Sequence, residues 1–142
     1  MKKLSLLLCA LSIIFSSCSS DDDSGSQDPI VGTWTFHQFF EDGVQQSITA
    51  CEMQETFTFS SNGTTFYEFY EDTQGACELE ESINGTWSSE GNVYTLTVAG
   101  ESSSEEITFE GNTFYFEYTE FSDPTDPVPV TYREVYACIL FS

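Results

Sequence analysis

The side chains that could do chemistry in this 142-residue chain are one histidine, five cysteines and 24 carboxylates. A metal site built on imidazole, or a nucleophile activated by a neighbouring base, needs a His set beside other donors. His37 alternates with Thr33 and Thr35, which puts it on the outer side of an extended segment. His37 with Cys138 is a nameable nucleophile–base pair, but nothing else in the sequence supports it. Two carboxylates could serve glycoside hydrolysis, yet among 24 acids some pair can always be named. Spread surface charge accounts for them better. Asp123-Pro124-Thr125-Asp126-Pro127 offers oxygen ligands for Ca²⁺ without a calcium-loop motif, and its prolines mark a stiff surface loop. The chain therefore reads as non-catalytic, with no cofactor and no metal.

Charge narrows the partners further. The formal charge is −21, and two of the three basic residues are Lys2 and Lys3. Removing residues 1–17 takes away those two lysines and no acid, so −21 becomes −23, with Arg133 the single cation left. Such a surface repels phosphates, which excludes nucleic acid and any basic patch for anionic lipid. All aromatic residues except Phe15 lie beyond residue 29, a density that disordered chains lack. Residues 30–142 thus form one domain with one core.

The amino terminus carries its own signal. Met1-Lys2-Lys3 precedes an apolar stretch, 4–15, too short to span a bilayer, which needs about 20 residues, but suited to a secretory signal. Phe15-Ser16-Ser17-Cys18 resembles a bacterial lipobox, with Phe in place of the usual Leu. That resemblance implies cleavage after residue 17, a signal peptide over 1–17, and membrane anchoring through an acylated Cys18. Residues 18–29 are a flexible acidic tether. Within it, Ser20-Asp21-Asp22-Asp23 resembles the acidic signal that sends lipoproteins of one Gram-negative group to the outer face of the outer membrane. Retention on the periplasmic face is the alternative.

From Ile30 onward the chain alternates in the manner of strands. Eight are expected, at 31–40, 55–60, 64–70, 83–90, 93–98, 101–110, 113–119 and 130–141. Turn dipeptides separate four pairs: Asn62-Gly63, Gly91-Asn92, Ala99-Gly100 and Gly111-Asn112. Centring hairpins on the last three sets Trp87 against Leu96, Val98 against Glu101 and Phe109 against Phe114. All three turns then agree on one apolar and one polar face. Centring the first hairpin on Asn62-Gly63 puts Phe57, Phe59 and Phe66 on one face, together with Glu68 and Tyr70. The same hairpin, extended, brings Cys51 and Cys77 nearly opposite each other. In an exported domain they are expected to form a disulfide, leaving Cys138 as a buried free thiol. The expected architecture is all-β, an eight-stranded antiparallel up-and-down meander closing into a small barrel.

Gly32-Thr33-Trp34 on the first strand of such a meander resembles the Gly-x-Trp opening of the lipocalins. The chain is closer still to small lipocalin-like domains of bacterial lipoproteins. Those pair a lipobox and acidic tether with an early Gly-x-Trp, a Cys before a Thr/Phe strand with an Asn-Gly turn, and a second Gly-Thr-Trp. Cys51, the segment 56–63 and Gly85-Thr86-Trp87 correspond to the last three. The resemblance implies that an Arg late in the fold covers the first-strand Trp, and only Arg133 is available to cover Trp34. The strands expected over 30–142 leave no room there for the lipocalin carboxy-terminal helix, and no second family motif is found between the middle strands, which argues against a deep calyx.

Two functions follow as expectations. One is a barrel holding a small hydrophobic or amphipathic ligand, lined by Trp34, Phe36, Phe57, Phe59, Trp87, Phe114 and Phe116. The other is a solid β-core built from those same residues that binds another protein or a polysaccharide through exposed Phe39, Tyr67, Tyr115 and Phe121. Interior volume separates them, because a pocket below roughly 300 Å³ holds no such ligand.

Overall fold

Alternating Thr and aromatic residues, punctuated by glycine turns, fold the described residues into ten antiparallel strands in one sheet. The computed structural model describes residues 27–123 and 126–139. The expected signal peptide, Cys18 and the tether up to residue 26 lie outside the described residues, as do Leu140 and Phe141 at the end of the last expected strand. The strands are β1 (Gly32–Glu41), β2 (Val44–Gln46), β3 (Thr56–Phe59), β4 (Thr64–Thr73) and β5 (Ala76–Glu90), followed by β6 (Val93–Val98), β7 (Glu101–Glu106), β8 (Thr108–Glu110), β9 (Thr113–Asp123) and β10 (Asp126–Cys138). A 3-10 turn, Glu52–Gln54, lies between β2 and β3. The spatial order is β7-β6-β5-β4-β3-β1-β10-β9-β8, with β2 beside β1.

The meander is as expected; its strand count and closure are not. The expected strand 101–110 breaks at Ile107, whose side chain is buried and whose amide donates to the Asn92 carbonyl at 2.8 Å. Before the break β7 pairs with β6; after it β8 pairs with β9. The ladder is therefore an open path ending at β7 and β8, not a closed eight-stranded barrel. Exposed Ser and Glu side chains along β7 keep that edge unattractive to another strand. The short β2 is the other addition, folded back on the end of β1.

Three hairpin registers match the sequence expectation: Trp87 faces Leu96, Val98 faces Glu101 and Phe109 faces Phe114. The fourth is displaced by one residue. The Ser60 amide donates to the Thr64 carbonyl at 2.9 Å and the Gly63 amide to the Ser60 carbonyl at 3.0 Å, so the loop holds three residues rather than two. Gly63, at φ +82°, takes the left-handed position such loops require. A one-residue slip exchanges the two faces of a strand. Phe57 is accordingly opposite Tyr67 and Phe59 opposite Thr65, while Phe66 and Glu68 sit across from Thr58 and Thr56.

One end of the molecule is packed solid. Ile30, Trp34, Phe59, Tyr94, Ile107 and Phe114 form its buried base, with Trp34 and Phe114 edge to face at 4.8 Å. Each such aromatic pair adds about 0.5–1.5 kcal/mol beyond the area it buries. Both indoles are satisfied: Trp34 Nε1 donates to the Ile30 carbonyl at 2.7 Å and Trp87 Nε1 to the Ser60 carbonyl at 2.9 Å. Asp28, expected in the tether, ties the incoming chain beneath this base. Its carboxylate accepts from the Ile30 amide at 3.1 Å, and from Tyr94 Oη and Ser89 Oγ at 2.6 Å each. Gly85 explains the second Gly-Thr-Trp: a Cβ there would lie 2.7 Å from the Thr97 carbonyl oxygen, so β5 and β6 could not approach as they do.

Candidate functional site

At the other end the two halves of the sheet splay, leaving a cavity of about 1050 Å³. Its position follows from two local irregularities. His37 is a bulge residue: Phe36 is opposite Tyr136, but Gln38 is already opposite Val135. The extra residue resets the alternation, so that Phe36 and Phe39, three apart, both reach the cavity. His37 itself is exposed, on the outer side as expected. The slipped register of β4 is the second irregularity, and it turns Thr65, Tyr67 and Phe69 inward. Phe57, Ile83, Leu96 and Val98 continue the apolar wall, and Gln46 at the end of β2, with Ser47 and Ile48 after it, lie across it.

The polar part of the wall is built on two glutamates. Glu134 on β10 accepts hydrogen bonds from Tyr118 Oη on Oε1 and Tyr136 Oη on Oε2, both at 3.0 Å. Glu55, just before β3, accepts from Tyr67 Oη at 2.9 Å. Burial raises the Glu55 carboxyl above its ordinary range. The Tyr67 bond opposes that rise, and the negative charges of Glu52 and Glu134 add to it. The Tyr67 phenol is held well above its ordinary value by burial first and by the Glu55 charge second. Tyr136 is raised likewise, by burial and by its neighbours Tyr67 and Glu134. Tyr118 is raised by burial and then by Glu134.

Of the seven residues expected to line a ligand site, Phe36 and Phe57 do so. Trp34, Phe59 and Phe114 are buried in the solid base, with Trp87 packed against them. Phe116 also packs on the core, its ring 6.1 Å from Tyr136, without reaching the cavity. The structure thus divides the expected set between base and cavity. Sequence reasoning missed Glu55, Tyr67, Tyr118, Glu134 and Tyr136. The inward faces of Tyr118 and Tyr136 were legible from alternation, whereas an inward acid looks like any other acid.

The expected contact between Trp34 and Arg133 is not made. Trp34 lies opposite Cys138, five residues further along β10 than Arg133, and Arg133 is on the opposite face of that strand from Cys138. Its guanidinium stands 4.4 Å over the Tyr115 ring and pairs with Glu117 at 2.7 Å. Trp34 is instead satisfied by Ile30, as described above. Cys51 and Cys77 form the expected disulfide, their Cα atoms 5.3 Å apart. It fastens the loop carrying Glu52 and Glu55 to the arm of β5. Cys138 is buried, but it is not the free thiol expected. It faces the core while His37 faces solvent, so the two form no pair. Among the described residues no group of three His, Cys, Asp or Glu could hold a metal ion.

Two of the aromatic residues expected on the outer surface, Phe39 and Tyr67, line the cavity instead. Tyr115 lies beneath Arg133, and Phe121 is 64 % exposed.

No curated protein matches the chain. Among solved structures, "Odorant Binding Protein OBP1" aligns over 85 % of this chain and 79 % of its own, at 12 % identity and a TM-score of 0.38. A family model described as a lipocalin-like domain matches residues 30–116. That span runs from the buried Ile30 and Gly32-Thr33-Trp34, through the bulge at His37 and the displaced β3–β4 hairpin, to Phe116 on β9, and by it the chain belongs to the lipocalin-like domain family.

Proposed function

We propose that this protein is a lipid-anchored carrier or receptor that holds a small hydrophobic or amphipathic molecule, without catalysis, in the cavity at the open end of its lipocalin-like domain. The observation carrying this reading is the cavity itself. Its volume of about 1050 Å³ is at the upper end of small-molecule sites, which span roughly 300–1,000 Å³. Its wall joins an apolar, largely aromatic lining to polar groups, of which Glu55 and Glu134 are fixed by tyrosine hydrogen bonds, and such sites combine the same two kinds of surface. Each methylene of a ligand moved from water into the wall would contribute about 0.8 kcal/mol. The solid base and the disulfide hold that wall in place, which lowers the ordering cost of binding.

Anchoring rests on the sequence. Cys18 and its preceding small residues support acylation, and Asp21–Asp23 support delivery to the outer face of the outer membrane. The domain would then stand off the membrane on its tether. A partner protein or glycan has less to recommend it, since Phe39 and Tyr67 are not on the outer surface.

Native mass spectrometry of the protein purified from its own host tests the binding reading. A bound small molecule is expected on the wild-type domain. A domain free of any small molecule that instead captures a protein or glycan would favour the alternative. Anchoring is tested by detergent-phase partitioning, which Cys18→Ser should abolish. Proteolysis of intact cells should remove the domain if it faces outward, and protection would place it inside.

A further inference from the structure

A cavity that takes an amphipathic molecule must also receive its headgroup, and the wall of this cavity is one-sided in charge. Among the described lining residues five are glutamates, Glu41, Glu52, Glu55, Glu101 and Glu134, and none is Lys, Arg or His. Arg133 is held on the outer face by Glu117. Around Glu55 and Glu134 hydrogen-bonding capacity is one-sided too. Tyr118 and Tyr136 spend their single hydroxyl protons on Glu134, and Tyr67 spends its own on Glu55. Thr65 Oγ1 donates to the Thr58 carbonyl at 3.0 Å. A hydroxyl has one proton to give and an ionised carboxylate has none. With these bonds made, those hydroxyls and carboxylates present lone pairs and no donor.

A carboxylate or phosphate headgroup brought to Glu55 and Glu134 would meet like charge and no donor from the tyrosines around them. The wall's other side-chain donors are the neutral Gln46 amide and the Ser47, Ser102 and Ser103 hydroxyls. An ammonium group would meet what it lacks. Glu134 accepts from two tyrosines but has about four acceptor sites, so it retains capacity for N–H donors. The Phe57 and Tyr67 rings, 4.9 Å apart, line the same cavity and offer faces that attract cations. We infer that the cavity selects a protonated amine carrying an apolar tail, with Glu134 and Glu55 receiving the ammonium and Phe36, Phe57 and Leu96 the tail. This inference rests on the cavity being a ligand site. It does not follow from overall acidity, because acids on the outer surface enclose no volume. The raised Glu55 carboxyl, caused first by burial and then in part by Glu52 and Glu134, agrees with an enclosure short of positive charge.

Isothermal titration of the full chain, produced without acylation, against dodecylammonium, dodecanol and dodecanoate tests the inference, because only the headgroup varies. Dodecylammonium is expected to bind at least about tenfold tighter than either of the others, a difference of about 1.4 kcal/mol. Glu134→Gln and Glu55→Gln should each narrow that margin, and Arg133→Gln on the outer face should leave it unchanged. Circular dichroism identifies a variant that fails to fold, and either of the two glutamate variants suffices. Dodecanoate or dodecanol binding as tightly as the amine would overturn the inference while leaving the cavity a ligand site. A margin that survives both glutamate substitutions would overturn it as well. Binding of none of the three would remove the cavity reading and this inference with it.

Discussion

Residues with the same chemistry take different roles here according to which side of a strand they occupy. Trp34 and Arg133 show the consequence. Their types suggest a stacked pair, but Trp34 is 2 % exposed in the base and Arg133 lies on the outer face against Tyr115 and Glu117. Truncating Trp34 should therefore cost about 3–5 kcal/mol, as for a buried aromatic. Removing Arg133, with one half-exposed ion pair and one ring contact, should cost about 1 kcal/mol or less. A double-mutant cycle with Trp34→Phe and Arg133→Ala, read by urea unfolding, should give a coupling below about 0.5 kcal/mol. Coupling well above that would mean the two side chains meet. Glu55 and Glu134 make the complementary point. In the sequence they are two acids among 24, and only the fold shows that tyrosines hold them against a cavity.

Among the elements, legibility depended on the turn. The hairpins at Gly91-Asn92, Ala99-Gly100 and Gly111-Asn112 could be read because each joins its strands directly, and the register follows from the turn alone. Asn62-Gly63 reads the same way, yet forms a three-residue loop in which Asn62 Oδ1 accepts from the Thr64 amide at 3.1 Å and from its hydroxyl at 2.7 Å. Nothing in the dipeptide distinguishes these loops, and the single-residue slip moved Tyr67 from the expected outer face into the cavity. The bulge at His37 did the same for Phe39. Both elements that build the cavity are thus departures from regular alternation, which is why the base was the more legible half. The Cys51–Cys77 disulfide belongs at this scale too, because it ties the loop before β3 to the arm of β5 across a separation of 26 residues. Its removal by paired Cys→Ser substitution should lower stability by about 3.5 kcal/mol in the chain-entropy model. It should also loosen the segment carrying Glu52 and Glu55, read as faster amide exchange there than in the base. Unchanged exchange in that segment would show that the disulfide does not hold the cavity mouth.

Taken whole, the molecule is an acidic shell around an aromatic interior whose phenols the fold keeps neutral. Tyr67, Tyr94, Tyr118 and Tyr136 are all raised above the ordinary value of 10.0, with burial the leading cause in each. Above that ordinary value the unfolded chain gives up protons that the folded chain retains. Stability contributed by these groups is therefore complete below about pH 10 and falls as the pH rises beyond it. Glu55 works in the same direction within the carboxyl range, its contribution present in acid and lost as it ionises. Urea midpoints should decline steeply from about pH 10 upward, with ionisation of Tyr67, Tyr94, Tyr118 and Tyr136, read from their ring NMR signals, accompanying unfolding rather than preceding it. Ionisation of those four tyrosines in a still-folded protein would contradict this. The central claim is that the open end of the sheet is a ligand site, and it is tested most directly by fluorescence titration with the neutral apolar probe N-phenyl-1-naphthylamine. The protein should bind one probe molecule saturably, and Leu96→Trp, which fills the cavity from β6, should weaken that binding by at least about tenfold, or about 1.4 kcal/mol, with the fold intact. Absence of saturable binding, or equal binding by the filled variant, would contradict it.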